Sequence, residues 1–172
     1  MSIFIQYYKT NYGELILGDY NGSLCLCDWR YRKMRQAIDD RVQEGLNATF
    51  EFKQTDLIVE TQKQLEQYFQ KQRTNFDLLM LLVGTHFQKQ VWNELLKVPY
   101  GKTETYMGLS QKLNNTKAIR AVAAANGANA ISIIVPCHRI VGSNGELVGY
   151  AGGVDVKQKL LRLENSSSYA EQ

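Results

Sequence analysis

Residues 13–29 read GELILGDYNGSLCLCDW, and this stretch decides the architecture of the first half of the chain. Its two halves are of strand length and flank Asn21-Gly22. An Asn-Gly pair supplies the positive φ angles of a tight turn, so the pattern predicts an antiparallel β-hairpin. Residues 3–8 (IFIQYY) form a further extended piece upstream. The protein is therefore predicted to begin with a small antiparallel sheet.

Helical patterns follow this predicted sheet. Residues 31–45 are rich in charge with sparse apolar positions, residues 56–70 carry apolar side chains at helical spacing, and both predict helices. Residues 76–83 (FDLLMLLV) form an apolar run of strand length, although periodicity alone does not separate such a run from a buried helical segment. This run is taken as the last element of a first domain, residues 1–84.

The pattern becomes helical again in the second half of the chain. Residues 87–96 repeat apolar side chains at helical spacing, and residues 106–113 and 116–125 are two further short helical patterns. Thr116 is placed to cap the second of these two. The pair is therefore a candidate helix-turn-helix.

Glycine-rich turns and one more helix complete the chain. Leucines in residues 154–164 predict this final helix, and residues 166–172 read as a flexible tail. A second domain is predicted over residues 85–165. The chain is thus expected to be an α+β protein, with a small N-terminal domain built on an antiparallel sheet and a mostly helical C-terminal domain.

Composition bounds the function. The 172 residues are 44% hydrophobic and 22% charged, as in soluble globular chains, so there is enough apolar material for a packed core. No stretch approaches the roughly 18–20 apolar residues that cross a bilayer, and the start of the chain lacks a signal-peptide pattern. A soluble, cytoplasmic protein without a membrane partner is expected. The net charge of +3 allows a polyanionic partner without establishing one.

Three cysteines, Cys25, Cys27 and Cys137, are too few and odd in number for a disulfide scaffold, so reduced thiols are expected. Cys25 and Cys27 alternate along one strand face. Together with only two histidines in the chain they make a poor ligand set for structural zinc. Neither a metal nor a cofactor is predicted.

The densest chemical cluster is the segment 133–139 (IIVPCHR), an apolar run that ends in a thiol, an imidazole and a guanidinium. A thiol is nucleophilic as thiolate, which imidazolium, guanidinium or helix N-terminal amides stabilise. Pro136 fits a helix start that would place Cys137 beside such amides. The alternative is a cysteine packed as a small hydrophobe, and composition leaves both open. His138 is adjacent in sequence, so a bridging water is needed if it serves as the base.

Residues 133–153 (IIVPCHRIVGSNGELVGYAGG) strongly resemble the active-site segment of the O6-alkylguanine-DNA alkyltransferases, also called methylated-DNA–protein-cysteine methyltransferases. The resemblance runs from about residue 85 to Glu164 and includes HFQKQVWNELLKVPYGKT, TYMGLSQKL and AIRAVAAANGAN, whereas residues 1–84 match in layout only. It implies a ribonuclease H-like layout for the first domain and a winged helix-turn-helix-like second domain. It also implies that Cys137 accepts an alkyl group from O6 of guanine, with O4-alkylthymine as a second candidate substrate, and that the protein is consumed.

The resemblance implies roles for other residues of the cluster. His138 would be the water-mediated base and Glu164 the carboxylate that orients it. Asn129 matches a hinge asparagine, although Ala130 stands where a proline usually follows. Tyr106 would give the leaving guanine a proton or a hydrogen bond. The alternative for Tyr106 is an ordinary packing tyrosine.

Double-stranded DNA, bound through the minor groove without sequence preference, is the partner that the resemblance implies, and no obligate protein partner is expected. Arg120 matches an arginine that fills the gap left by a flipped nucleotide; its alternative is a solvated surface arginine. Ala121 and other small residues on the same helix permit close approach of either the groove or a packed helix. Lys117, Thr116 and Tyr106 complete the expected DNA contacts.

A pocket for the flipped base is also expected. The residues that would line it are Val135, Pro136, Tyr150, Ala151, Gly152 and Gly153. Lys157 either contacts the active-site backbone or is solvated on a helix face. Two other functions remain as alternatives: a non-catalytic lesion-binding protein, against which Cys137 argues, and a cysteine hydrolase that uses Cys137 with His86 or His138, for which no family signature is present.

Overall fold

The computed structural model describes residues 1–165, so the predicted tail at 166–172 lies outside it. The chain divides into two compact units at residues 84 and 85. The first unit contains β1 (Ser2–Thr10), β2 (Gly13–Tyr20), β3 (Ser23–Trp29), α1 (Arg35–Leu46), β4 (Thr49–Phe52) and α2 (Asp56–Phe69). The second contains α3 (His86–Leu95), β5 (Glu104–Thr105), α4 (Tyr106–Lys112), α5 (Ile119–Gly127), β6 (Ile140–Val141) and α6 (Val154–Leu163). Short 3₁₀ turns occupy Thr116–Ala118 and Cys137–Arg139.

The Asn-Gly hairpin is confirmed. β2 and β3 pair antiparallel around Asn21 (φ 51°) and Gly22 (φ 84°), the positive angles that the tight turn requires. The Gly22 amide donates to Oδ1 of Asp19 at 2.8 Å and closes the turn. β1 pairs antiparallel with β2, so the three extended pieces form one meander.

The sheet also has a fourth strand that the sequence did not reveal. β4 pairs parallel with β1, which gives the order β3-β2-β1-β4 and makes the sheet mixed, not purely antiparallel as predicted. This strand is four residues long and mostly exposed, with Phe52 at 60% exposure, so it lacks the alternation that marks a half-buried strand. The Gln43 side chain accepts from the Phe50 amide at 3.0 Å and so occupies one donor of this edge.

Residues 76–83, which the sequence left open between a strand and a buried helical segment, form neither. The segment joins the sheet through a single parallel bridge between Leu24 and Met80. Gln64 of α2 bonds the backbone of Asp77 through both its amide nitrogen and its amide oxygen, each at about 3 Å. A side chain therefore satisfies backbone groups that a neighbouring strand would otherwise pair. The helix predicted over residues 31–45 begins at Arg35 and not at residue 31, because the residues before Arg35 are not helical.

Threonine caps set two helices of the second unit. Thr85 and Gln88 form a reciprocal capping box at α3, and Thr105 accepts from the Gly108 amide at the start of α4. The prediction that Thr116 caps the next helix is wrong. Thr116 opens a 3₁₀ turn, and α5 begins after it with no side-chain cap.

Packing against α3 holds α5 in place. The indole of Trp92 on α3 donates to the Ala125 carbonyl at 2.8 Å, and both residues are buried. From Ala128 to Gly142 every residue is buried, so the chemical cluster lies in the interior of the second unit. Within residues 1–165, none of the helices has the length and apolar character needed to cross a membrane.

Candidate active site

Cys137 lies on a buried turn between α5 and β6, and its side chain is 4% exposed. Pro136 has φ −83° and ψ 62°, and the Cys137 amide donates to the Val135 carbonyl at 2.8 Å. The expected helix start at Pro136 is therefore only a three-residue 3₁₀ turn. Because the Cys137 amide is already bonded and the turn is so short, stabilisation of a thiolate by a helix N-terminus is not realised here.

The backbone that leads to this turn is strained, and Asn129 holds it. Ile133 has φ 73°, a left-handed conformation that is a genuine outlier for a β-branched residue. The Asn129 amide donates to the carbonyls of Ile131 at 3.3 Å and Val135 at 2.9 Å, and its oxygen accepts from the Ile131 amide at 2.9 Å. One side chain thus ties together both sides of the strained residue.

Asn129 also touches the thiol. Its Nδ2 lies 3.2 Å from Sγ of Cys137, within hydrogen-bond distance for sulfur. Asn129 is 1% exposed, so this contact is shielded from water. The structure therefore brings the predicted hinge asparagine and the predicted acceptor together through one buried amide.

His138 and Glu164 form a second buried contact. Nε2 of His138 lies 2.7 Å from Oε2 of Glu164, which follows the last residue of α6, and both side chains have no exposed surface. With Nε2–H donated to the carboxylate, Nδ1 carries the lone pair. This Nδ1 is buried and has no hydrogen-bond partner within residues 1–165. Burial lowers the pKa of His138, although Glu164 pulls it upward, so the imidazole is poised as a neutral acceptor.

Arg139 is a site residue whose role the sequence did not show. Its Nε and Nη2 donate to the two oxygens of Glu164 at 2.8 and 3.0 Å, and its Nη1 donates to the Val98 carbonyl at 2.8 Å. Burial alone would raise the pKa of Glu164, but His138 and Arg139 outweigh it and hold that pKa well below its usual range. The guanidinium therefore serves the carboxylate and not, as expected, the thiolate. Its position in the cluster was the only sequence signal.

Tyr106 and Lys157 bind the loop that follows β6. The Tyr106 hydroxyl donates to the Val148 carbonyl at 3.1 Å, and burial together with the nearby Cys137 raises the Tyr106 pKa. Lys157 on α6 donates to the Ile140 carbonyl at 2.5 Å and to the Gly149 carbonyl at 3.2 Å. Burial lowers the pKa of Lys157 to about 8. Of the two alternatives for Lys157, the structure shows the backbone contact.

The expected pocket residues fall on both sides of the nucleophile. Val135 and Pro136 are buried in the segment before Cys137, whereas Tyr150, Ala151 and Gly152 are half-buried in the loop after β6. The Tyr150 ring approaches the His138 ring edge-on, with centroids 6.4 Å apart. Among residues 1–165 no group of three or more His, Cys, Asp or Glu side chains is arranged to hold a metal ion.

Four of the five expected DNA-binding residues lie on the surface, and the fifth, Tyr106, is the half-buried residue described above. Arg120 and Ala121 on α5 are exposed, and so are Lys117 and Thr116 on the preceding 3₁₀ turn. Ala121 shares an exposed helix face with small residues at Ala124 and Gly127. A Cβ built at Gly127 would meet no atom within 4 Å. This exposure argues against the alternative that a helix from the described part of the chain packs on the small-residue face.

Comparison with known proteins gives a consistent result. A family model described as 6-O-methylguanine DNA methyltransferase, DNA binding domain, matches residues 86–166. A methylated-DNA–protein-cysteine methyltransferase of Methanosarcina acetivorans is 51% identical over 107 residues, which are 62% of this chain and 69% of that protein.

Solved structures extend the similarity to the first unit. The crystal structure of Mycobacterium tuberculosis O6-methylguanine methyltransferase superposes with a TM-score of 0.80 and 34% identity, covering 95% of this chain and 93% of that one. A crystal structure of the protein from the same organism in complex with DNA gives a TM-score of 0.79 at 33% identity, covering 96% and 94%.

Proposed function

The chain belongs to the methylated-DNA–protein-cysteine methyltransferase family, and from this premise we propose that it repairs double-stranded DNA by moving an alkyl group from O6 of guanine onto Cys137. Its activity is that of a methylated-DNA–[protein]-cysteine S-methyltransferase. One observation carries the assignment to residues: His138, which directly follows the thiol of Cys137 in the chain, forms a buried imidazole–carboxylate pair with Glu164 at 2.7 Å.

The first step is activation of the thiol. His138 takes the proton of Cys137 on Nδ1 through one water, because residues adjacent in sequence do not bond directly here. Glu164 stabilises the imidazolium that forms, and Arg139 fixes Glu164 in place through two hydrogen bonds. Asn129 donates to the sulfur as negative charge develops on it.

The second step is transfer. The sulfur forms a bond to the alkyl carbon while the bond from that carbon to O6 breaks, and the electron pair returns to the guanine ring. Tyr106 gives the leaving base a proton or a hydrogen bond, which requires its hydroxyl to turn away from Val148. Burial raises the Tyr106 pKa, so the hydroxyl keeps its proton for this purpose. The thioether product offers no easily broken bond to sulfur, so each molecule acts once.

Access to the lesion requires the base to leave the helix. Cys137 is 4% exposed, and O6 of guanine lies inside the stacked duplex, so the nucleotide rotates into the protein at a cost of a few kcal/mol. The exposed Arg120 then fills the gap and stacks on neighbouring bases. The small-residue face of α5 fits a narrow minor groove, with Lys117 and Thr116 on phosphates.

The same proposal covers the finer description of the fold. We assign residues 1–84 to a ribonuclease H-like domain and residues 85–165 to a winged helix-turn-helix-like DNA-binding domain, in which α4 and α5 supply the helical pair. The site of action is the cytoplasm. Arg120 and the surface of α5 then belong to the second domain, together with the acceptor.

The test is mass analysis of the intact and digested protein after incubation with a duplex that carries one O6-methylguanine. We expect one methyl group per protein molecule, located on Cys137, with Cys25 and Cys27 unmodified. Cys137→Ala should abolish transfer and retain DNA binding, whereas Cys25→Ala should transfer normally. Repeated turnover, or a methyl group on another residue, would contradict the proposal.

A further inference from the structure

Glu104 is a charged residue that the transfer mechanism does not use, and its carboxylate lies along α4. Its Oε1 accepts a hydrogen bond from the Thr105 amide at 2.8 Å, and its Oε2 pairs with Nζ of Lys112 at 2.7 Å. Thr105 caps α4, and Lys112 is the last residue of that helix. One carboxylate therefore connects the two ends of α4.

Gly108 leaves the space in which this carboxylate lies. Gly108 and Lys112 are four residues apart and so share one face of α4. A Cβ built at Gly108 would overlap Oε1 of Glu104. Burial by itself would raise the pKa of Glu104, but Lys112 and the Thr105 amide outweigh it and lower that pKa, so the carboxylate is charged. Glu104, Gly108 and Lys112 are called the α4 clamp below.

The helix that the α4 clamp spans presents Tyr106 to the site. Tyr106 is the first residue of this seven-residue helix, and a helix of that length is marginal on its own. Its hydroxyl donates to the Val148 carbonyl at 3.1 Å, and the buried Asn126 side chain also hydrogen-bonds Tyr106. The place of the hydroxyl therefore depends on how firmly the first turn of α4 is held.

The α4 clamp is also tied to the segment that carries the acceptor. β5 (Glu104–Thr105) pairs parallel with β6 (Ile140–Val141). β6 directly follows the 3₁₀ turn Cys137–Arg139. The start of α4 is thus held on one side by the strand that leaves the site and on the other by the Glu104 carboxylate.

We propose that Glu104 is a positioning residue, which acts with Gly108 and Lys112 to hold Tyr106 where it assists the leaving guanine. This inference rests on the proposed function, in which Tyr106 gives that base a proton or a hydrogen bond. A misplacement of about 1 Å in a group that acts in the transition state is enough to slow a reaction substantially. In this role Glu104 affects transfer only through Tyr106.

The alternative is that the α4 clamp serves only the stability of the helix, and Gly108→Ala separates the two roles. Alanine favours a helix more than glycine does, so a purely structural role predicts transfer that is unchanged or faster. In the positioning role the new Cβ displaces the Glu104 carboxylate, which is the movable end of a side chain, and transfer slows. The two roles therefore predict opposite results from one substitution.

The experiment is a double-mutant cycle on the single-turnover rate of transfer from an O6-methylguanine duplex at saturating protein. Glu104→Ala and Gly108→Ala are each measured with Tyr106 and with Tyr106→Phe, after circular dichroism shows that each variant is folded. Fluorescence anisotropy gives the affinity of each variant for an unmodified duplex. Glu94→Ala is the matched control, because Glu94 forms a partly exposed ion pair with Lys97 on α3 at 3.1 Å.

We expect Glu104→Ala and Gly108→Ala each to slow transfer by about five-fold, and Glu94→Ala to leave the rate unchanged. With Tyr106→Phe neither substitution should slow transfer further, because the hydroxyl that the α4 clamp positions is then absent. Duplex affinity should stay the same or rise in Glu104→Ala, since a negative charge is removed from a protein that binds a polyanion.

Four results would overturn the inference. They are equal slowing with and without the Tyr106 hydroxyl, a normal or faster rate for either substitution, weaker duplex binding by Glu104→Ala, and loss of the folded state in both variants. A Tyr106→Phe variant that transfers at the wild-type rate would overturn it too, because the hydroxyl would then need no positioning. Absence of methyl transfer to Cys137 in the wild type would instead refute the proposed function.

Discussion

The three cysteines of this chain are equally buried, yet they lie in opposite chemical surroundings. Cys25 and Cys27 on β3 are 1% and 0% exposed, and Cys137 is 4% exposed. Burial and the Asp19 carboxylate raise the pKa of Cys25 to about 12, and its sulfur bonds only weakly to the Gly18 carbonyl, at 3.6 Å. Burial and Asp28 likewise raise the pKa of Cys27.

Cys137 has donors where the β3 cysteines have carboxylates. The Asn129 amide faces its sulfur, and the nearby carboxylate of Glu164 is already held by His138 and Arg139. Burial lowers the pKa of Lys157 to about 8, and the electrostatic influence of Cys137 opposes that lowering. Burial alone therefore makes a thiol inert, and the polar groups around it decide whether it can react.

The largest expected effect comes from removing His138, the proposed base beside Cys137. His138→Gln should slow transfer by about 10²–10⁴-fold, because the thiol proton then has no nearby acceptor. Single-turnover rates on O6-methylguanine duplex measure this. His86→Gln changes the chain's other histidine, which is exposed, and should leave the rate unchanged. Equal transfer rates for the two variants would show that Cys137, like Cys25 and Cys27, has no histidine that acts as its base.

A smaller effect is expected when the loop beside the thiol loses its ammonium anchor. Lys157→Met removes the bonds to the Ile140 and Gly149 carbonyls, so the proposed base pocket should lose its fixed geometry and transfer should slow by about 10–100-fold. Lys159→Met, an exposed position on the same helix, is the control. A normal rate for Lys157→Met would show that the loop is positioned without this side chain.

The smallest expected effect is on the free energy of unfolding. Its dependence on pH has opposite signs for His138 beside Cys137 and for Cys25 on β3. Because burial lowers the pKa of His138, the unfolded chain binds its proton first, so stability is lost as pH falls below about 6.5. The raised pKa of Cys25 acts oppositely, since its contribution is complete below about 9 and is lost as pH rises toward 12.

Thermal melting at pH 7 and pH 5 tests the acid branch. The melting temperature should fall by about 2–4 °C more in the wild type than in His138→Gln. His86→Gln should behave as the wild type does. If the melting temperature of His138→Gln fell between pH 7 and pH 5 as much as that of the wild type, titration of His138 would not be the cause of the fall.

Much of the fold was readable because local signals agreed with tertiary structure. Asn21-Gly22 set the hairpin, and the spacing of apolar residues located α2, α3 and α6 within one or two residues at each end. The sequence did not reveal β4 and did not settle the conformation of residues 76–83, since the pairing of β4 with β1 and the single bridge at Met80 both depend on neighbours distant in sequence. The prediction that Thr116 caps a helix was wrong because a threonine caps a helix only when the helix starts directly after it, and α5 starts at Ile119.

By itself the sequence identified the family and predicted Cys137 as the acceptor and the two-part organisation, because these follow from a contiguous motif and from short-range periodicity. Only the tertiary structure decided which groups surround the sulfur. Arg139 pairs with Glu164 across 25 positions of chain, and Asn126 turns an unmatched oxygen into the interior. Such contacts arise from packing between elements, and the strength of every charge and hydrogen bond in a dry interior depends on the exact partners that packing supplies.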